Sequence, residues 1–137
     1  MASFIPDGVY RIRNVQFSHS VAGVRGPTIG PIVGFTESQG PNGLWRIQNV
    51  GDGGNEIIIE SMFPPGIFAS ADQFSGGQLI ASPNRTVWTV VKQDRGYYLQ
   101  SPNAELVWML TRDGDGAPIV LVPFTGQYNT QWTFDRA

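Results

Sequence analysis

Thr86-Val87-Trp88-Thr89-Val90 lies in the second half of a 137-residue chain and carries one of its four tryptophans. Two others, Trp45 and Trp132, stand 43 residues before it and 44 residues after it. Each of the three is followed by a polar and then an apolar residue: Trp45-Arg46-Ile47, Trp88-Thr89-Val90, Trp132-Thr133-Phe134. About 31–35 residues ahead of each lies an apolar opening: Tyr10-Arg11-Ile12, Ile57-Ile58-Ile59 and Tyr97-Tyr98-Leu99. A later cluster also recurs, at Pro31-Ile32-Val33, Gln78-Leu79-Ile80 and Pro118-Ile119-Val120. Self-similarity at a fixed period fixes an architecture before any single element does. The chain divides into three units, at residues 8–50, 51–93 and 94–137 of a single domain.

Working outward, each unit reads as four short strands. The candidate spans are 9–15, 21–24, 31–35, 44–48, 56–61, 66–69, 78–81, 86–92, 97–101, 106–111, 118–122 and 131–135. Several alternate apolar and polar residues, as in Tyr10-Arg11-Ile12-Arg13, which suits strands with one wet face. Apolar residues nowhere recur at i, i+3, i+4 long enough for a helix. Gly51-Asp52-Gly53-Gly54 and Gly114-Asp115-Gly116 supply turns that need positive φ. One four-strand unit cannot bury its own apolar face. Three units can close six strands into a barrel and cap it with three hairpins, leaving few free edges. One Trp per unit is then a core anchor whose removal costs about 3–5 kcal/mol.

Composition narrows the function classes. There is no cysteine, which removes disulfides, thiolate metal sites and a cysteine nucleophile. The single histidine, His19, is the sole residue on which a Ser-His-Asp triad could be built. It sits in a polar loop with no acidic neighbour in sequence and reads as an exposed loop residue. Asp113-Gly114-Asp115-Gly116 lacks the downstream Glu of a calcium loop and reads as a hairpin turn. No metal, cofactor or paired-carboxylate chemistry is expected, so the chain reads as a non-enzyme. Charged residues are 15% of the chain, against roughly 25% in an ordinary domain, with net charge −2. No basic excess points to nucleic acid, and no apolar run is long enough to cross a bilayer. Without a cationic leader or cysteine, a cytoplasmic location is expected.

With these residues in view, the chain resembles the mushroom β-trefoil proteins. That group includes ricin-B-like fungal lectins and trefoil protease inhibitors of the mycocypin type. The opening Asp7-Gly8-Val9-Tyr10-Arg11-Ile12-Arg13-Asn14-Val15 is similar to their first strand. The run from Ser82 through Trp88-Thr89-Val90 and Gly96-Tyr97-Tyr98-Leu99-Gln100 to Val107-Trp108-Met109-Leu110 is similar to a lectin of this class that binds fucosylated chitobiose-type glycans. The resemblance implies an all-β trefoil fold and a defence-related lectin for GlcNAc-, GalNAc- or fucose-containing glycans, binding glycoproteins and able to form a homodimer. It also carries an alternative, a protease inhibitor. The chain departs from the ricin pattern two residues before each Trp, where Gly43, Thr86 and Thr130 stand in place of Gln.

Sugar recognition needs an aromatic face and fixed polar groups. The second unit offers both. Phe68, Asp72, Gln73 and Phe74 lie in the long connection before its third strand, and Asn84, Arg85 and Thr86 lie in the turn before its fourth. Phe74 would stack on a ring, Asp72 and Asn84 would bind hydroxyls, and Arg85 would bind a hydroxyl or an acidic group. Trp108 breaks the threefold pattern. It is read either as an exposed aromatic platform or as a core residue, with its counterparts near Val24 and Phe68. Asn84-Arg85-Thr86 also fits the N-glycosylation pattern, read as accidental. For inhibition, the stiff candidates are the proline-bearing loops Gly26-Pro27-Thr28-Ile29-Gly30-Pro31 and Met62-Phe63-Pro64-Pro65-Gly66, with Arg25 or Arg85 available for a trypsin-like pocket.

Overall fold

The computed structural model describes residues 4–25, 30–36, 41–63, 65–70, 77–102 and 106–137. Twelve strands occur among them. The first unit holds β1 (Gly8–Asn14), β2 (Ser20–Val24), β3 (Gly30–Thr36) and β4 (Trp45–Asn49). The second holds β5 (Glu56–Ser61), β6 (Phe68–Ser70), β7 (Ile80–Ser82) and β8 (Val87–Lys92). The third holds β9 (Tyr97–Gln100), β10 (Val107–Leu110), β11 (Ala117–Val122) and β12 (Trp132–Arg136). Two 3-10 turns, Pro41–Gly43 and Tyr128–Thr130, precede β4 and β12.

Period-two alternation places the side chains. In β1, Tyr10, Ile12 and Asn14 are buried while Val9, Arg11 and Arg13 are half-buried. In β11, Ala117, Ile119 and Leu121 are buried between half-covered neighbours. Pairing is antiparallel throughout. β1 pairs with β4, β4 with β5, β5 with β8, β8 with β9, β9 with β12, and β12 with β1. That circuit returns to its start, so none of these six strands leaves a whole edge unpaired. The remaining strands form hairpins β2–β3, β6–β7 and β10–β11. The hairpins join through β3 with β7, β3 with β11, and a bridge between Gln78 and Val120.

All four tryptophans are fully buried in one apolar core. Three of them use the indole N–H in the same way. Trp45 Nε1 donates to the Ala22 carbonyl at 3.0 Å, Trp88 Nε1 to Ala69 at 2.9 Å, and Trp132 Nε1 to Trp108 at 3.2 Å. Each bond ties the fourth strand of a unit to its second. The same bonds make Ala22, Ala69 and Trp108 equivalent positions, within two residues of the Val24 and Phe68 near which the sequence placed them. Trp108 is no surface platform. It packs edge-to-face against Trp88 (centroids 5.4 Å apart) and Trp132 (5.8 Å), at the position where the other two units carry alanine. Its own Nε1 meets no acceptor among the described residues.

One glycine is needed for close approach. A Cβ at Gly96 would lie 2.6 Å from the Trp132 carbonyl oxygen, so the β8–β9 turn reaches β12 only without a side chain there. The turn between β10 and β11 is polar and well tied. Gly114 and Gly116 take φ of 101° and 79°. Asp113 Oδ1 accepts from the Gly114 N–H, and Asp115 Oδ1 accepts from the Thr36 N–H.

Candidate functional site

The candidate site in the second unit is built on the β6–β7 hairpin. Register places Phe68 opposite Ser82 and Ser70 opposite Ile80. Ser70 and Ser82 are both buried, and their hydroxyl oxygens are 2.7 Å apart. Ser70 Oγ lies 2.8 Å from the Asn84 carbonyl oxygen, and the Asn84 N–H donates to Ser82 Oγ at 3.2 Å. One hydrogen per hydroxyl satisfies the set if Ser70 donates to Asn84 and Ser82 donates to Ser70. Every donor then has an acceptor, and the backbone of Asn84 is fixed at both ends. Its side chain is left exposed.

Arg85 follows with its guanidinium carbon 5.3 Å from the Phe68 ring centroid. Phe68 itself is only 8% exposed. It therefore supports Arg85 from below and is not an open stacking platform for a ligand. Guanidinium over an aromatic face is worth about 0.5–1 kcal/mol at an exposed site, enough to favour one orientation of a long side chain. Thr86 is half-buried. Asp72, Gln73 and Phe74 lie outside the described residues, in the segment between Ser70 and Gly77.

Comparison with the other two units shows what sets this turn apart. Three residues before each Trp stand Asn42, Arg85 and Asn129. Asn42 Nδ2 donates to the Val24 carbonyl at 3.2 Å and Asn129 Nδ2 to the Leu110 carbonyl at 3.2 Å. In both, the side chain is spent on the second strand of its own unit, and a 3-10 turn surrounds it. In the second unit the residue is a long cation turned outward, and no 3-10 turn forms. Threefold repetition is thus broken at the position where the sequence placed a binding turn.

Other features fall elsewhere. His19 is exposed in the turn between β1 and β2. No group of three His, Cys, Asp or Glu among the described residues could hold a metal ion. Arg25 is exposed, but residues 26–29 of the first proline loop are outside the described set. In the second loop Phe63 is 58% exposed. Sequence reading passed over Phe124 and Tyr128, which are 42% and 40% exposed. The available signal was that Pro123-Phe124-Thr125-Gly126 falls between the apolar run of β11 and Trp132, where no strand claims it.

An open cleft of about 450 Å³ lies at the β1–β4 edge, lined by Asp7, Gly8, Val9, Arg46, Ile47 and Gln48. Beside it Asp7 Oδ1 accepts from the backbone N–H and from Nδ2 of Asn49, each at 2.8 Å. These bonds, the side-chain one first, hold the Asp7 carboxyl below its ordinary range.

No family model matches the chain, and no curated protein matches it. Solved structures do. The agglutinin of Rhizoctonia solani superposes with a TM-score of 0.89 at 17% identity, over 100% of both chains. The designed 3-fold symmetric protein ThreeFoil gives 0.84 at 19% identity, over 96% of this chain and 100% of that one. The ricin B-like lectin of Macrolepiota procera, solved in complex with lactose, gives 0.80 at 20% identity, over 98% and 100%. At these identities what is shared is the fold, end to end.

Proposed function

We propose that this chain is a carbohydrate-binding trefoil lectin without catalytic activity. The observation that carries this reading is the full-length match of its fold to an agglutinin and to a lectin solved with lactose. In this reading the units at 8–50, 51–93 and 94–137 are three trefoil repeats, and their hairpins cap a six-stranded barrel. The ligand is a GlcNAc-, GalNAc- or fucose-containing glycan, and the role is defensive.

The site is drawn from Asp72, Gln73, Phe74, Asn84, Arg85 and Thr86 of the second unit, with Phe68 beneath Arg85. Asn84 offers an exposed amide on a fixed backbone. Arg85 offers donors already oriented by Phe68. Phe74 supplies the apolar face on which a pyranose ring stacks, and Asp72 accepts from ring hydroxyls. Preorganised donors bind hydroxyls without first losing rotamer freedom, which favours affinity in a small site.

A glycan array probed with the wild-type protein, then with Phe74→Ala and Asn84→Ala, tests this. Both variants should lose roughly tenfold or more in affinity for the glycans bound by wild type, with melting temperatures essentially unchanged. Unchanged affinity in both removes the site.

A second reading, protease inhibition, is favoured by one observation. Phe63 is the most exposed of the large apolar residues described. It is set in a turn where its own N–H donates to Ser61 Oγ and the Gly66 N–H donates to Glu60 Oε2. Papain, trypsin and chymotrypsin assays on the same material separate the two. Inhibition lost in Phe63→Ala, together with an empty array, supports the second reading.

A further inference from the structure

Two segments meet at the surface: the β8–β9 turn with the start of β9, residues 93–98, and the connection from β11 to β12, residues 123–131. Pro123 through Tyr128 are all exposed. Phe124 stacks on Tyr98 with centroids 4.3 Å apart and planes 31° apart. One face of Phe124 is thereby covered, so its 42% exposure falls on the other face and the edge. Tyr128 donates its hydroxyl to Asp94 Oδ2 at 3.1 Å, and Gln131 Nε2 donates to Asp94 Oδ1 at 3.1 Å. Gln131 Oε1 accepts the Arg95 N–H at 3.2 Å. The Arg95 guanidinium lies over the Tyr128 ring, 4.8 Å from its centroid, with no carboxylate in ion-pair contact among the described residues.

Gln131 is buried, and its amide is satisfied by Asp94 and by the Arg95 N–H. Around it Asp94, Arg95 and Tyr128 are exposed yet held in one arrangement, at a cost in rotamer freedom. As a receptor it is complete. Phe124 gives an apolar face held rigid from behind. Asp94 is kept ionised, its carboxyl lowered first by the Gln131 bond and also by Tyr128 and Arg95, and each oxygen has a further lone pair to offer. Arg95 gives a planar fork of donors whose orientation is already set.

We propose that residues 94–98 and 124–131 form a second saccharide subsite, separate from the Asn84–Arg85 turn. A pyranose ring lays its C–H face on Phe124, and neighbouring hydroxyls donate to Asp94 and accept from Arg95. The proposal rests on the carbohydrate-binding reading and adds a site that shares no residue with the second-unit cluster.

The test is a titration of the 15N-labelled full chain with lactose, N,N′-diacetylchitobiose and 2′-fucosyllactose, followed by amide chemical shifts. At least one sugar should give saturable shifts at 94–98 and 124–131. Those shifts should disappear in Phe124→Ala and weaken in Tyr128→Phe, while Arg85→Ala retains them. Phe124 is exposed enough that its variant should fold, which the untouched part of the spectrum reports. Shifts confined to the Asn84–Arg85 turn overturn this subsite and leave the lectin reading standing. Absence of shifts with all three sugars overturns both.

Discussion

Trp88 and Trp108 touch edge to face in the same core, yet their polar edges are treated differently. Trp88 spends its N–H on the Ala69 carbonyl, while Trp108 buries an N–H with no acceptor among the described residues. A buried donor without a partner costs about 1–3 kcal/mol, whereas a made bond contributes about 0.5–1.5 kcal/mol. Replacing either ring by Phe loses similar volume. Trp88→Phe also loses a bond, whereas Trp108→Phe removes an orphaned donor. Denaturant unfolding should therefore find Trp108→Phe less destabilising than Trp88→Phe by at least about 1 kcal/mol. Equal costs would mean the two indoles sit in equivalent polar surroundings. The same pair marks what the sequence could tell at this scale. Trp45, Trp88 and Trp132 were legible because their spacing repeats. Trp108 was not, because its counterparts Ala22 and Ala69 are small and leave no apolar signature at that position.

At the scale of elements, all twelve strands were legible, and their ends moved for physical reasons. The candidate span 78–81 became β7 (Ile80–Ser82) because the residues before it bond outward. The Leu79 carbonyl accepts from Ile32, and its N–H donates to Ile119, linking neighbouring hairpins. The 3-10 turns before β4 and β12 carried no periodic signal, since three residues are too few to show one. The approach to β1 makes a prediction of its own. Asp7 accepts two hydrogen bonds from Asn49 at the end of β4, and its carboxyl is held below the ordinary 3.8. A lowered folded-state value means the stabilisation is complete above about that pH. It is lost as the pH falls through the folded value. Asp7 is exposed, so solvent screening keeps the effect to about 0.2–1 kcal/mol. Melting temperature against pH should fall less steeply below the carboxylate range in Asp7→Asn than in wild type, the two curves converging at low pH. Parallel curves would show that these bonds do not tie β1 to β4 in solution.

Across the whole molecule, the same fold is reached at 17–20% identity. Such chains share the order in which apolar residues return to the core far more than the residues themselves. That is why the period of the tryptophans sufficed for the architecture. The residues proposed to bind lie where the period places no constraint, in turns and long connections. The second-unit turn stands out in sequence because Asn84-Arg85-Thr86 is a polar turn ahead of a strand, within the run that resembles a lectin. Phe124 and Tyr128 escaped because nothing in sequence says that Tyr98 meets the one and Asp94 the other, each about 30 residues earlier. If the broken symmetry at Arg85 marks the proposed glycan site, a crystal structure of the protein with the strongest glycan from the array shows it most directly. Sugar density is expected against Asn84 and Arg85, with a ring face on Phe74. A fully occupied glycan bound elsewhere, with that turn empty, would contradict it.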